Sequence, residues 1–233
     1  MRAREAAAKA SGARPGRPRR RRTPGRPVRR AARVLAAGAG LAAVVALAAV
    51  VLISFPRVDE AAPADALLVL GPVDARLDTA RTLMDAGIAD TVAYSVPAAA
   101  TVDEATAAAV GELCAPRTDY EVLCFTPDPF TTQGEAMALR GLAAEHAWTS
   151  VNVLTFDAHV TRTRWVMERC WDGGLRVLEY PRPAGPLQRA FDVGYQGLGV
   201  AKLAVTRGCE GQLPAPVQEF MDGFKPEAPP LGG

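Results

Sequence analysis

Residues Val34 to Phe55, VLAAGAGLAAVVALAAVVLISF, run for 22 positions without a charge. As a helix rising about 1.5 Å per residue the stretch is about 33 Å long, matching a bilayer core of about 30 Å. This segment divides the chain, and residues 34–56 are assigned to a single transmembrane helix. Before it, Arg14 to Arg33 reads RPGRPRRRRTPGRPVRRAAR. Pro and Gly interrupt regular structure there and like charges repel, so residues 1–33 are expected to be a disordered basic tail. After it, residues 57–211 are expected to form one folded domain, and 212–233 a Pro/Gly-rich tail.

Charge is partitioned about the apolar run. Residues 1–33 carry 13 Lys/Arg and one acid, Glu5, which leaves 14 basic and 24 acidic groups for residues 34–233. Arg and Lys are retained on the cytoplasmic side, so the expected topology is a single-pass plasma-membrane protein with its N-terminus inside and its acidic domain outside. The tail is expected to meet anionic lipid at the inner face. An acidic folded domain repels a phosphate backbone, which argues against a nucleic-acid-binding domain and leaves only residues 1–33 able to meet nucleic acid electrostatically; no nucleic-acid partner is expected. The competing reading is a cleaved secretory signal, whose small-x-small site would be Ala62-Pro63-Ala64. That site comes late, behind Asp59 and Glu60 and with Pro63 inside it.

All four cysteines, Cys114, Cys124, Cys170 and Cys209, fall in the domain expected outside, where disulfides persist. Four cysteines allow three pairings. Position along the elements favours Cys114 with Cys124, from a helix end to the next strand, and Cys170 with Cys209, between two helix ends. Free buried thiols are the alternative.

From Ala66 onward short apolar runs alternate with amphipathic stretches. Strands are expected at 66–71, 91–95, 120–126, 151–156 and 175–180, with helices at 74–86, 102–113, 132–146, 159–170 and 186–207. Near-continuously apolar strands in strict alternation with helices imply the α/β class. The expected architecture is a Rossmann-like open parallel sheet of about five strands with helices on both faces, preceded by the membrane helix.

Ligands of such sheets bind beyond the carboxyl ends of the strands, where helix N-termini favour anions. The dinucleotide pattern G-x-G-x-x-G is missing, because Gly71 is followed by Pro72, Val73 and Asp74. Thr131-Thr132-Gln133-Gly134-Glu135 has two readings. Thr132 and Glu135 could form a capping box, or the threonines could hold an anion while Glu135 acts as a base. Phe156 to Trp165 is the densest constellation: His159 and Arg162, three apart, share a helix face, with Asp157 beside them. Their alternative is a solvated surface pair. Arg164 is expected to pair with Glu168, and His146 to serve the end of its helix. The two histidines lie in separate elements, so no metal site is expected, and no cofactor is assigned.

These residues resemble the YdcF-like (ElyC/SanA/YdcF) domain family of bacterial envelopes over about residues 64–181. The resemblance rests on Asp65-Ala66-Leu67-Leu68-Val69-Leu70-Gly71, on Arg76, Ala80, Leu83 and Gly87, on Thr131 to Ala136, and on Thr155, Asp157, His159 and Arg162. Pro72 stands where the family often has a second glycine, and Ser95-Val96-Pro97 where it has Ser-Gly-Gly. The 24 Arg against three Lys, with many Ala, suit a high-GC bacterium of actinobacterial type. The resemblance implies a membrane-anchored Rossmann-like domain in cell-envelope or peptidoglycan-precursor metabolism. In that reading Gly71, Arg76, Thr131, Thr132 and Arg162 would hold a small anionic ligand, phosphorylated or lipid-linked. His159 would act as acid or base, oriented by Glu135 or Asp157. A non-catalytic envelope interaction module on the same fold is the rival expectation.

Overall fold

A computed structural model describes residues 26–117 and 119–223. Most of the tail expected to be disordered, residues 1–25, lies outside the described residues, as do 224–233. The chain forms two units, residues 1–44 and 45–233. In the first, Arg26 to Arg33 is not irregular as the sequence suggested but opens the helix α1 (Arg26–Ser54). Arginine is a good helix former, proline is tolerated in a first turn, and a helix nucleated downstream extends at little cost. From Arg30 to Ser54 α1 is long and apolar enough to cross a membrane, and only 6% of its most apolar stretch is buried inside the protein.

The second unit begins with the last turns of α1 and continues as β1 (Ala66–Val69), α2 (Leu77–Asp85), β2 (Thr91–Ser95), α3 (Glu104–Leu113) and β3 (Glu121–Phe125). It ends with α4 (Thr132–Glu145), β4 (Ser150–Phe156), α5 (Val160–Cys170), β5 (Gly174–Tyr180), α6 (Pro186–Val205) and α7 (Ala215–Asp222). The helix α7 falls in what the sequence suggested was a loose tail. Asp103 caps α3, its carboxylate accepting from Thr106 N–H at 3.0 Å. Gly87 closes α2 in the left-handed region at φ +70, where glycine has no Cβ to clash.

All five strands are parallel, in the order β3-β2-β1-β4-β5. Successive residues of β1 point to opposite faces. Ala66, Leu68 and Leu70 join α4 and α5 in one core layer, while Leu67 and Val69 join α2 in the other. Because β1 is buried on both sides, it reads as an unbroken apolar run. The chain leaves β1 toward β2 on one side and returns as β4 on the other. The crevice between their carboxyl ends is therefore the topological switch point, where open α/β sheets bind ligands.

Both expected disulfides are formed, Cys114–Cys124 and Cys170–Cys209. The first joins the end of α3 to β3 and the second joins the end of α5 to the segment after α6. The stem between α1 and β1 is tied down. Thr161 Oγ1 donates to Leu52 O at 2.6 Å, Ile53 is 2% exposed, and Asp59 accepts from Val177 N–H at 2.9 Å. Arg164 does not pair with Glu168: its Nη2 donates to Asp59 Oδ2 at 2.6 Å and to Arg57 O at 2.9 Å. The stem supplies a partner close in space that spacing along α5 could not show.

Candidate functional site

The site grows from the loops after β1, β2 and β4 and from the first turn of α4. Thr131 is the N-cap of α4, its Oγ1 accepting from Gly134 N–H at 3.3 Å. Of the two readings of this segment, the capping box between Thr132 and Glu135 is not formed: with Thr131 as cap, the third helical position is Gly134. A Cβ on Gly134 would collide with the Pro129 carbonyl, so only glycine lets the preceding loop fold back over the helix start. Glu135 is freed from capping, and its Oε1 reaches across the switch point to accept from Gly71 N–H at 2.8 Å.

Glu135 is 5% exposed. Burial raises its pKa, opposed by the Gly71 N–H, by the hydroxyl of Ser95 and by the charges of Arg76 and Arg162. The Ser95 hydroxyl faces the carboxyl without meeting full hydrogen-bond geometry to any group. Gly71 itself is closely packed: a Cβ there would press on Ser95 O at 3.2 Å and on the Phe130 ring at 3.5 Å.

His159 is 6% exposed, at the end of a short 3-10 turn, Asp157–His159, between β4 and α5. Its Nδ1 lies 2.9 Å from Thr155 Oγ1 and its Nε2 3.1 Å from Thr132 Oγ1. Burial, then the positive charges of Arg162 and Arg76, hold its pKa well below the usual histidine range. The ring is neutral at pH 7 and offers one donor and one acceptor to two hydroxyls that can each play either part. A neutral imidazole in a hydroxyl chain is competent as a general base.

Asp157, expected as a partner of His159, turns away. Its carboxylate lies 3.5 Å from Arg182 and 3.7 Å from Arg189, and Arg182 also holds Asp192. Thr155 takes the orienting position instead. Arg76, expected to hold the ligand, is 2% exposed, with Nη1 donating to Leu70 O at 2.5 Å and to Pro72 O. Its guanidinium lies 5.8 Å from the Phe156 ring centre and 5.4 Å from that of Tyr180. It clamps the β1 loop and contributes charge to the site from behind.

Arg162 leads outward from His159. Its Nη1 donates to Gln196 Oε1 at 3.3 Å, and its guanidinium lies 5.8 Å from the Tyr195 ring centre. With Thr131, Arg169 and Lys202 it lines a cavity of about 70 Å³ between the start of α4, α5 and α6, and among the described residues the wall carries no acid. Such a wall suits an anion. The structure thus brings together Gly71, Arg76, Thr132, Glu135 and His159 at the crevice, and Thr131 with Arg162 at the adjoining cavity. The rule that strand ends face the ligand crevice selects the loop Ser95 to Thr101 from sequence, but gives Ser95 no role in the site. Sequence reasoning missed the cavity residues of α6. No group of three or more His, Cys, Asp or Glu side chains suited to a metal occurs among the described residues. No family model matches the chain, and no curated protein or solved structure is significantly similar to it.

Proposed function

We propose that this chain is a single-pass envelope protein whose extracytoplasmic domain, of the YdcF-like type, binds or processes a small anionic ligand, phosphorylated or lipid-linked. The observation that carries this reading is the buried group at the switch point. Glu135 and His159 have pKa values displaced in opposite directions within one crevice, beside a cavity walled by Arg162, Arg169 and Lys202. Burial moves Glu135 toward the neutral range in which an acid or base works, and it keeps the His159 ring neutral, with a free nitrogen lone pair. His159 would move the proton, Glu135 would set the charge at the Gly71 amide, and Arg162 with Thr131 would hold the anion.

The membrane part rests on the uncovered apolar α1 and on the arginine excess before it. The seating of Leu52 and Ile53 on the folded domain supports retention of α1 over cleavage as a signal, since removal would expose Ile53's site and leave Thr161 without its acceptor. Two disulfides support an oxidising compartment.

One observation favours a second reading, an interaction module without catalysis: Glu135, His159 and Arg76 all find hydrogen-bond partners inside the protein. The test uses the full chain in lipid nanodiscs. Thermal unfolding is followed with inorganic phosphate, sugar nucleotides and a short polyprenyl phosphate, beside His159→Ala and Arg162→Ala. A ligand at 100 times its dissociation constant adds about 2.7 kcal/mol. A shift lost in Arg162→Ala supports the anion site. No shift with any anion, and unimpaired growth of cells carrying His159→Ala, would leave the interaction module.

A further inference from the structure

Exposed large apolar side chains are unevenly spread. Among the described residues beyond α1 they are confined, apart from Phe130, to the segment leaving α1 (Phe55, Val58) and to α5, α6 and α7. None lies on α2 or α3, which cover the other face of the sheet. On α6, Leu187, Phe191, Leu198 and Val205 follow one another at spacings of four, seven and seven, which keeps them on one side of the helix. Asp192, Gln196 and Gly199 are buried on the opposite side. Leu187 is 86% and Val205 71% exposed, and Phe191 and Leu198 between them are each a little under half exposed, so the stripe reaches the surface at every position.

We propose that this outer face of α6, with Trp165 of α5, lies in the headgroup layer of the bilayer that α1 crosses. The inference rests on reading α1 as membrane-spanning. What names lipid as the occupant is the seat of the last turn of α1. Thr161 on α5 donates to Leu52 O, and Ile53 Cδ1 lies 3.9 Å from where a Cβ on Gly197 of α6 would stand. Leu198 adjoins Gly197, and Trp165 is one turn beyond Thr161, on the same side of α5. Two of the three helices carrying the exposed apolar groups, α5 and α6, are thus the helices that hold the end of the span. Ile53 is covered by the domain, but Leu52 and the turns before it are exposed and belong to a segment apolar enough to cross a bilayer, so on that reading the bilayer surface lies within a few residues of them. An indole with an apolar body and a polar N–H suits that depth, and an amphipathic helix lying in the interface plane buries such a stripe. The consequence is that the cavity between α5 and α6, walled by Arg162, Arg169 and Lys202, is held close to the headgroups.

The test places the full chain in phosphatidylcholine–phosphatidylglycerol vesicles, with acyl-chain-brominated phosphatidylcholine as quencher. Subtracting the emission of Trp165→Phe from that of the parent isolates Trp165. The expected result is quenching and a blue shift of that component. The double variant Phe191→Asp, Leu198→Asp is expected to lose most of the quenching while still floating with the vesicles and keeping its near-ultraviolet circular dichroism. A chain that floats with Trp165 emission untouched by bromine overturns the docking and leaves the anchor standing. Quenching unchanged in the double variant removes α6 from the interface. A dimer in nanodiscs that the double variant converts to monomer assigns the stripe to a second copy. A chain that does not float overturns the anchor, and the docking with it.

Discussion

At the scale of single residues, the two buried titratable groups act on stability with opposite sign. His159 has a folded pKa below the 6.5 of the exposed side chain. Below about pH 6.5 the unfolded chain therefore takes up a proton that the folded protein refuses. Stability then falls with falling pH, by up to about 1.4 kcal/mol per pH unit, until the folded pKa is reached. Glu135 has a folded pKa above 4.5 and behaves in reverse, favouring the fold at low pH and losing that contribution as pH rises through its folded value. His159→Gln keeps an amide donor and acceptor for Thr132 and Thr155 and removes only the first effect. In urea unfolding at pH 7.0 and about pH 5, the parent is expected to lose stability relative to the variant at the lower pH. Equal losses in both would show that His159 titrates normally in the folded state.

At the scale of elements, two glycines separate what the backbone requires from what a side chain only prefers. A Cβ on Gly134 meets the backbone of Pro129, which cannot yield without moving the loop over α4. A Cβ on Gly199 meets the Arg162 side chain at Cδ, 2.7 Å away, which can swing aside. Gly134→Ala is expected to cost about 2–3 kcal/mol in urea unfolding. Gly199→Ala should stay within about 1 kcal/mol of the parent, since alanine favours a helix interior, while displacing Arg162 and weakening any anion-dependent thermal shift. A Gly134→Ala variant as stable as the parent would overturn this account of the loop.

Elements also differ in how readily the sequence discloses them. All five strands are legible: the central ones because parallel strands buried on both faces are near-continuous apolar runs, as ALLV in β1 is, and the half-exposed edge strands β3 and β5 because each keeps a short apolar run between turn and helix signals. The start of α1 at Arg26 and the helix α7 are hidden, since Pro and Gly nearby suggest irregular chain while the helices form from their neighbours. Glu135 and His159 are legible from their place after a strand. Their distant partners are not: the Gly71 amide is 64 positions from Glu135, and Thr132 is 27 from His159. Asp157 was assigned to His159 because adjacency is all that spacing reports, whereas Arg182, 25 residues on, is what the fold delivers to it.

At the scale of the whole molecule, charge asymmetry is the feature that makes direction across a membrane testable. Thirteen basic side chains precede or enter α1, against one acid, and the remainder of the chain is acidic by ten. Each basic group near an anionic leaflet contributes about 1 kcal/mol to retention on that side. Neutralising Arg19, Arg20, Arg21, Arg22, Arg29, Arg30 and Arg33 with glutamine therefore removes several kcal/mol of bias while leaving the apolar stretch of α1 intact. On the proposed topology, with the domain outside, part of the population is then expected to insert inverted. Two readouts should then agree: protease added outside intact cells would no longer digest the whole domain, and that protected fraction would hold Cys114, Cys124, Cys170 and Cys209 as free thiols open to alkylation. An unchanged distribution would mean that orientation is set by folding of the domain outside the membrane rather than by the arginines.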